Sequence, residues 1–421
     1  MIKKPRGTED ILPQDAAIWN LIESTAKNVC EKYGYKEIRT PVFEETSLFN
    51  RGVGETTDVV QKEMYTFNDK GGRSITLRPE GTASLARSYI ENSLYANPQP
   101  TKLYYLITCY RYEKPQSGRL REFHQFGLEC FGSENSATDA EIITLAYDFF
   151  NELNVQGLNL NINSIGCPEC KPKYNEALKN YFTSHIDELC DTCKGRLEKN
   201  PMRILDCKSP VCHEIAEAAP KMIDYLCDDC RHEFENVQKY LDAVGIEYNI
   251  DTGIVRGLDY YTRTVFEITS DALGAQSAVC GGGRYNGLVE ELGGKPTPGI
   301  GFAIGIERLV LILKKQGTEL PAEHVPDIFI ATIGDKADIF AQKLIHDLRK
   351  SGYSAERDLC SRSVKAQMKY ANKLGARYSL VLGDDEVDSN KANIKNMADG
   401  SQFETPLTAE AISEIITKEK I

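Results

Sequence analysis

Two spacings put polar groups where strands would bury them. Arg111 and Glu113 lie two apart at the end of an aromatic and β-branched run that starts at Leu103, and Gln125 and Glu129 share one face of a second run, with Gly127 between them. Alternation along a strand sends His124, Phe126, Leu128 and Cys130 to the other face. If the two runs pair with their polar faces aligned, a guanidinium, an amide and two carboxylates stand on an otherwise apolar surface. Desolvated charge is costly unless paired or liganded, so this surface is either a self-satisfied network or a seat for a charged substrate.

More such groups sit at element junctions. Glu80, Gly81 and Thr82 separate a strand from a helix; a carboxylate at a helix N-terminus is favoured by the dipole alone, so Glu80 reads first as a cap. Arg256 precedes the adjacent tyrosines Tyr260 and Tyr261. The triplet Gly281–Gly283 within AVCGGGRYNGLV implies a group lying against the strand backbone, or a bulge. Glu307 and Arg308 open the helix after GIGFAIG, where a cation opposes the dipole, so Arg308 calls for an anionic partner, whether an ion pair or a ligand. Gly299, Gly301 and Gly305 miss the dinucleotide-binding spacing.

Eight of the 13 cysteines fall between Cys167 and Cys230, as the CxxC pairs Cys167/Cys170, Cys190/Cys193 and Cys227/Cys230 plus Cys207 and Cys212. That spacing lets two thiolates reach one tetrahedral ion, so a structural zinc is one reading and buried free thiols in a small helical insertion are the other. The spacing does not fix which pairs would share an ion.

The elements that must position these groups follow from periodicity. Residues 14–32 read as a helix, 36–43 as a strand with Pro41 inside it, 51–67 as an irregular mobile loop, and 138–153 as a helix opened by a capping box of Thr138 with Glu141. A proline in a strand belongs on an edge or at an interface. Residues 158–165 alternate as a strand, 314–325 read as a linker, and from Asp327 a strand-helix order predicts a small α/β domain with a largely parallel sheet. Within it Lys365, Lys369 and Lys373 form one helical stripe in a stretch, Arg349 to Arg377, that is basic against a net charge of -12 for the chain. A solvated face explains such a stripe, and so does contact with a phosphate backbone.

With 421 residues, two domains and an insertion are expected. The N-terminus MIKKPRGTED lacks an apolar core of the signal-peptide kind and no run is long enough to span a bilayer, so a cytoplasmic protein with reduced thiols and no membrane partner is expected. The acidic balance argues against generic coating of nucleic acid.

Taken together, these motifs resemble the class II aminoacyl-tRNA synthetases over nearly the whole chain. GYKEIRTPVFE is similar to motif 1 of that class, YRYEKPQSGRLREFHQFGLE to motif 2 and GIGFAIGIERL to motif 3, while RGLDYYTRTVFE and GGGRYNGL resemble the two signatures of the histidyl-tRNA synthetase family. The resemblance implies an α+β fold: an antiparallel catalytic sheet flanked by helices over residues 1–325, a helical Cys-rich insertion at about 166–234, and an α/β anticodon-binding domain over 326–421.

It also implies ATP-dependent ligation of L-histidine to tRNA(His) by a homodimer joined through motif 1, with Mg2+ on the pyrophosphate. Arg111 would bind the α-phosphate and the histidine carboxylate, Glu113 the adenine amino group, and Arg119 and Arg308 the outer phosphates. Glu80, Thr82 and Gln125 would hold the amino group, with Gly81 and Tyr260 in the same histidine pocket. Glu129 and Tyr261 would read the imidazole, Arg256 would face Arg111 across the α-phosphate, and Gly281–Gly283 would let histidine lie against the backbone. No catalytic metal site is assigned, and zinc in the insertion is left open. Two rival readings remain: a histidine-binding regulatory paralogue, which would lack residues 327–421 and often the phosphate-clamping arginines, and a zinc-ribbon nucleic-acid-binding protein, which explains only the cysteines.

Overall fold

A computed structural model describes residues 1–421 except 55–56, 206, 208, 274–277, 321–323 and 419–421. The chain divides into two compact units, Met1–Leu320 and Pro321–Ile421.

The first unit opens with α1 (Pro13–Lys32), β1 (Lys36–Glu37), β2 (Phe43–Glu45), α2 (Thr46–Val53), a π-helical turn at Val59–Glu63, β3 (Tyr65–Asn68), β4 (Ser74–Leu77) and α3 (Thr82–Glu91). The long hairpin β5 (Thr101–Tyr110) and β6 (Glu122–Phe131) follows, then α4 (Ser136–Glu152) and β7 (Leu158–Ser164). The insertion carries α5 (Lys171–Thr183), α6 (Asp191–Lys199) and α7 (Pro210–Glu217), and returns through α8 (Asp228–Ala243). β8 (Asn249–Ile250), β9 (Thr262–Ser270), β10 (Ala278–Arg284), α9 (Leu288–Glu291), β11 (Gly299–Gly305) and α10 (Ile306–Gln316) complete it.

Eight strands form the main sheet in the order β1-β5-β6-β11-β10-β9-β7-β8. Only its margins, β1 with β5 and β7 with β8, are parallel; the six central strands are antiparallel, as expected. Alternation divides its two faces. Tyr104, Phe126, Leu128, Phe266 and Phe302 join α1, α4, α8 and α10 in one core, while Leu103, Tyr105, Ile107, Val265 and Tyr285 pack with α3 on the other side. Pairing sets Ile107 opposite Gln125 and Leu103 opposite Glu129, so the two polar residues of β6 face the second side.

Several expectations need correcting. Residues 36–43 are not one strand: β1 joins the main sheet and β2 a separate three-stranded sheet, β2-β4-β3. The break has a visible cause, since the Arg78 guanidinium takes the carbonyls of Thr40 (2.8 Å) and Pro41 (3.1 Å) that strand pairing would use. Residues 51–67 hold the end of α2, the π-helical turn and most of β3 instead of a featureless loop, with 55–56 outside the described residues. Thr138 and Glu141 form no capping box. Asn135 caps α4 by accepting from the Ala137 N–H at 2.9 Å, Thr138 bonds Ser133, and Glu141 pairs with Lys102 at 2.6 Å. The expected linker begins three residues inside α10, and its residues 321–323 lie outside the described set.

The second unit contains β12 (Ile328–Thr332), α11 (Asp335–Lys350), β13 (Ala355–Arg357), α12 (Val364–Lys373), β14 (Tyr378–Leu382), α13 (Asp384–Ser389), β15 (Lys391–Asn396), β16 (Gln402–Pro406) and α14 (Ala409–Lys418). Its sheet, β13-β12-β14-β15-β16, is mixed and not largely parallel: β13, β12 and β14 run parallel, and the polar hairpin β15-β16 adds two antiparallel strands. Gln367 fastens α12 to β12 through both main-chain groups of Thr332 (2.9 and 3.0 Å), which leaves Lys365, Lys369 and Lys373 exposed on the other side of the helix.

Candidate active site

A cleft of about 290 Å³ opens on the α3 side of the main sheet. Its walls come from every junction singled out above: the start of α3, the turn after β5, the face of β6, the loop before β9, β10, and the start of α10. Arg111, Glu113, Arg119, Gln125, Arg256 and Arg308 line it, as do Glu80, Thr82, Tyr260 and Tyr261. Gly81 and Glu129 do not. Gly81 packs against the Tyr105 ring, and Glu129 is wholly enclosed.

At one end of the cleft the guanidinium groups gather. Arg111 donates from Nε to the Pro79 carbonyl (2.8 Å) and lies 3.9 Å from Glu113, whose second oxygen meets Arg119 at 3.3 Å. Arg308 donates to the Ala278 carbonyl, and its guanidinium is easier to deprotonate than usual because it is desolvated and Arg119 stands nearby. Two cations held this close in a partly dry cleft favour an anionic ligand.

The other end is acidic and aromatic. Glu80 accepts from the N–H groups of Thr82 (2.7 Å) and Ala83 (2.8 Å), so it does cap α3 while also facing the cleft. Burial raises its pKa against those bonds. Behind it Glu129 accepts from Thr82 Oγ1 (2.6 Å) and Tyr285 (2.5 Å), with Tyr105 at 3.4 Å. Desolvation pushes Glu129 up to about 8, although these hydrogen bonds oppose the shift. Its carboxylate lies where a Cβ on Gly301 would be, at 1.9 Å, so β11 needs a glycine there. Tyr260 and Tyr261 pack ring to ring at 4.7 Å.

Arg256 bridges the two ends. It donates to Glu267 at 2.8 Å, its Cζ lies 5.7 Å from the Tyr261 ring, and its buried Nε has no hydrogen-bond partner among the described residues. The group lying against Gly281 is therefore the guanidinium of Arg256, where bound histidine had been expected; β10 also slips register between Gly283 and Arg284.

Sequence reasoning missed several positioning residues. Glu267 orients Arg256, and alternation along TRTVFEITS could have placed it on the cleft face. Glu307 accepts from both the main-chain N–H and Nδ1 of His124, tying α10 to β6 beside Arg308. Fully buried Arg284 is wrapped by Asp139 (2.6 Å) and the carbonyls of Ser133 and Asn135. From the insertion, Arg203 holds the Gly257 carbonyl (2.8 Å) and Asp259 (3.1 Å), and Lys171 the Tyr261 carbonyl (3.1 Å). No local signal marks those last contacts. The insertion also gathers its eight cysteines into two groups of four, away from the cleft lining.

Comparison with known proteins places the chain among relatives of one kind. The histidyl-tRNA synthetase family model matches residues 7–309, and an anticodon binding domain model matches 327–418. A histidine–tRNA ligase of Acetivibrio thermocellus is 58% identical, covering 97% of this chain and 98% of the relative, and one from Clostridium perfringens is 56% identical over 99% of both. The crystal structure of apo S. aureus histidyl-tRNA synthetase superposes with a TM-score of 0.83 at 43% identity, each chain covered completely.

Proposed function

Because the chain belongs to the histidyl-tRNA synthetase family, we propose that the cleft is where histidine is activated, and assign each lining residue a part in that reaction. The protein is a histidine–tRNA ligase, an ATP-dependent aminoacyl-tRNA ligase with an anticodon-binding domain. What carries the residue assignment is the polarity of the cleft: guanidinium groups at one end, a capping carboxylate and two phenols at the other, and Arg256 between them.

In the first step an oxygen of the histidine carboxylate attacks the α-phosphorus of ATP and pyrophosphate leaves. In the second, a ribose hydroxyl at the 3′ end of the tRNA takes the histidyl group and AMP leaves. Arg119 and Arg308 hold the outer phosphates, their mutual repulsion relieved by the ligand's negative charge. Arg111 binds the α-phosphate together with the histidine carboxylate, and Glu113 turns from its arginine partners toward the adenine amino group. Mg2+, coordinated by the phosphates, would neutralise the departing pyrophosphate.

Glu80, Thr82 and Gln125 face the ammonium of histidine. Tyr261 from the cleft wall, beside Tyr260, matches an imidazole nitrogen, while Glu129 acts from behind the wall through its bonds to Thr82 and Tyr285; polar matching of this kind discriminates against analogues lacking the groups. Arg256, preset by Glu267 and Gly281, stabilises charge on the pentavalent phosphorus at no cost of reorganisation.

The exposed Lys365, Lys369 and Lys373 are assigned to the tRNA backbone. Homodimerisation through the motif 1 region is supported by Val42 and Phe43, exposed beside β2 and within it; a monomeric mass at micromolar concentration would refute it. A cytoplasmic location fits the unbridged thiols, and no helix among the described residues is long and apolar enough to cross a membrane.

The test is exchange of labelled pyrophosphate into ATP by the wild type and Arg256→Ala. Exchange with histidine and with no other amino acid, abolished in the variant, supports the assignment. Histidine binding without exchange would turn the reading to a histidine-binding protein that is not an enzyme.

A further inference from the structure

The cysteine-rich insertion presents two separate groups of four thiols. Cys167, Cys170, Cys227 and Cys230 form one, and Cys190, Cys193, Cys207 and Cys212 the other; within each, the sulfur atoms lie within 4.8 Å of one another. We propose that each group holds one structural zinc ion as a tetrathiolate, two ions per chain.

The sulfur geometry separates this from the alternatives. Four thiolates around one zinc, with Zn–S near 2.3 Å, stand at tetrahedral corners about 3.8 Å apart. Sγ of Cys167 lies 3.6 Å from that of Cys170 and 3.8 Å from that of Cys227, and Cys190 and Cys207 are 3.8 Å apart. A disulfide requires roughly 2 Å between sulfurs. A four-iron cluster inserted among the thiolates would spread them to roughly 6 Å. All eight ligands are sulfur, the donor set of a closed structural site with no position left for substrate.

Main-chain N–H groups also point at the sulfurs. Cys227 N donates to Cys170 Sγ at 3.1 Å, and Cys190 N to Cys212 Sγ at 3.3 Å, bonds that stabilise a thiolate over a thiol and orient it toward a metal. Each site also links segments that are distant in sequence. The first clasps the root of the insertion, joining the chain after β7 to the start of α8, while the second ties the start of α6 to α7 across the turn that carries Arg203. An excursion of this size, built from helices of 8 to 13 residues before α8, is of the kind that needs a staple beyond its apolar core.

The experiment is metal analysis of the full-length protein purified without chelator, with cobalt exchange as a second readout. We expect close to two zinc ions per chain, no stoichiometric iron, and thiolate-to-cobalt charge-transfer absorption corresponding to two sites. Cys190→Ser and Cys227→Ser are each expected to lower the content by one ion. Should a variant fail to fold, the wild-type stoichiometry and cobalt spectrum still decide the matter. A metal content near zero, a single ion, or disulfides among the eight cysteines would overturn the proposal. None of these readouts depends on aminoacylation, so the result stands apart from the assignment of the active site.

Discussion

The guanidinium of Arg256 fills the space above Gly281: a Cβ built on that glycine would lie 2.0 Å from Nη2 and 2.6 Å from Cζ. The clash falls on the far end of a flexible side chain, so alanine at this position displaces the arginine while the sheet accepts it. Gly281→Ala is expected to lower histidine-dependent pyrophosphate exchange by about 10²–10³-fold, comparable to losing one preorganised donor, with little change in melting temperature. Wild-type exchange in this variant would separate Arg256 from the chemistry.

Glu307 is predicted to matter for both stability and ATP. Its carboxylate accepts from the His124 N–H at 2.9 Å and lies 2.8 Å from Nδ1, and it precedes Arg308 in the first turn of α10. Glu307→Ala leaves a strand N–H without an acceptor, at about 1–3 kcal/mol, and frees the helix start to shift. Urea unfolding should register that loss, and the KM for ATP should rise more than the KM for histidine; equal effects would argue against a role through Arg308.

Arg284 and Asp139 are both fully buried and bonded at 2.6 Å. Removing one member strands a charge in the interior, so Asp139→Ala should cost about 3–5 kcal/mol in denaturant unfolding. The double variant Asp139→Ala/Arg284→Leu should recover part of this, since the guanidinium no longer has to be desolvated, while Glu233, 3.6 Å from Arg284 in the wild type, keeps Arg263 as its partner. A double variant as unstable as the sum of the singles would mean the pair does not act as a unit.

Burial pushes the Glu129 carboxyl up to about 8 by disfavouring its charged form. A carboxyl raised above its unfolded value contributes stability that is complete below about pH 4.5 and is lost as pH rises through the folded value, by at most about 1.4 kcal/mol per pH unit. Glu129→Gln cannot ionise. The melting temperature of the ligand-free variant relative to wild type should therefore climb between about pH 5 and pH 8 and level off above. A difference independent of pH would show that Glu129 is already ionised in the folded protein.

The lysine stripe of α12 is expected to act on tRNA alone. Replacing Lys365, Lys369 and Lys373 by alanine should weaken tRNA binding and make the dependence of log K on log salt shallower by roughly two to three units, while tRNA-independent pyrophosphate exchange stays unchanged. An unaltered salt slope would return the stripe to a solvated surface.

How far the sequence carried depended on the range of the interaction. The β5-β6 hairpin and the sides taken by Gln125 and Glu129 were legible because alternation is a property of adjacent peptide units. Pro41 was read as part of a strand because the group that breaks it, Arg78, lies 37 residues away. The Thr138/Glu141 cap failed for a similar reason: Lys102, on the neighbouring strand, holds Glu141. Strands β15 and β16 were missed since β15 offers only Ala392 and Ile394 as a short apolar alternation and β16 is mostly exposed, so their pairing with each other defines them.

By itself the sequence determined the family, the reaction and the antiparallel character of the catalytic sheet, since motif spacing and strand periodicity are written in segments of about ten to twenty residues. Tertiary structure decided which groups meet. Arg256 lies against Gly281, Glu129 is closed in behind Thr82 and Tyr285, and the insertion reaches the loop before β9 through Arg203 and Lys171. It also chose the cysteine partners, joining Cys167 to Cys227 across 60 residues while keeping Cys190 with Cys207. Identical CxxC spacings cannot specify such a choice, because it depends on where separately folded helices bring their ends.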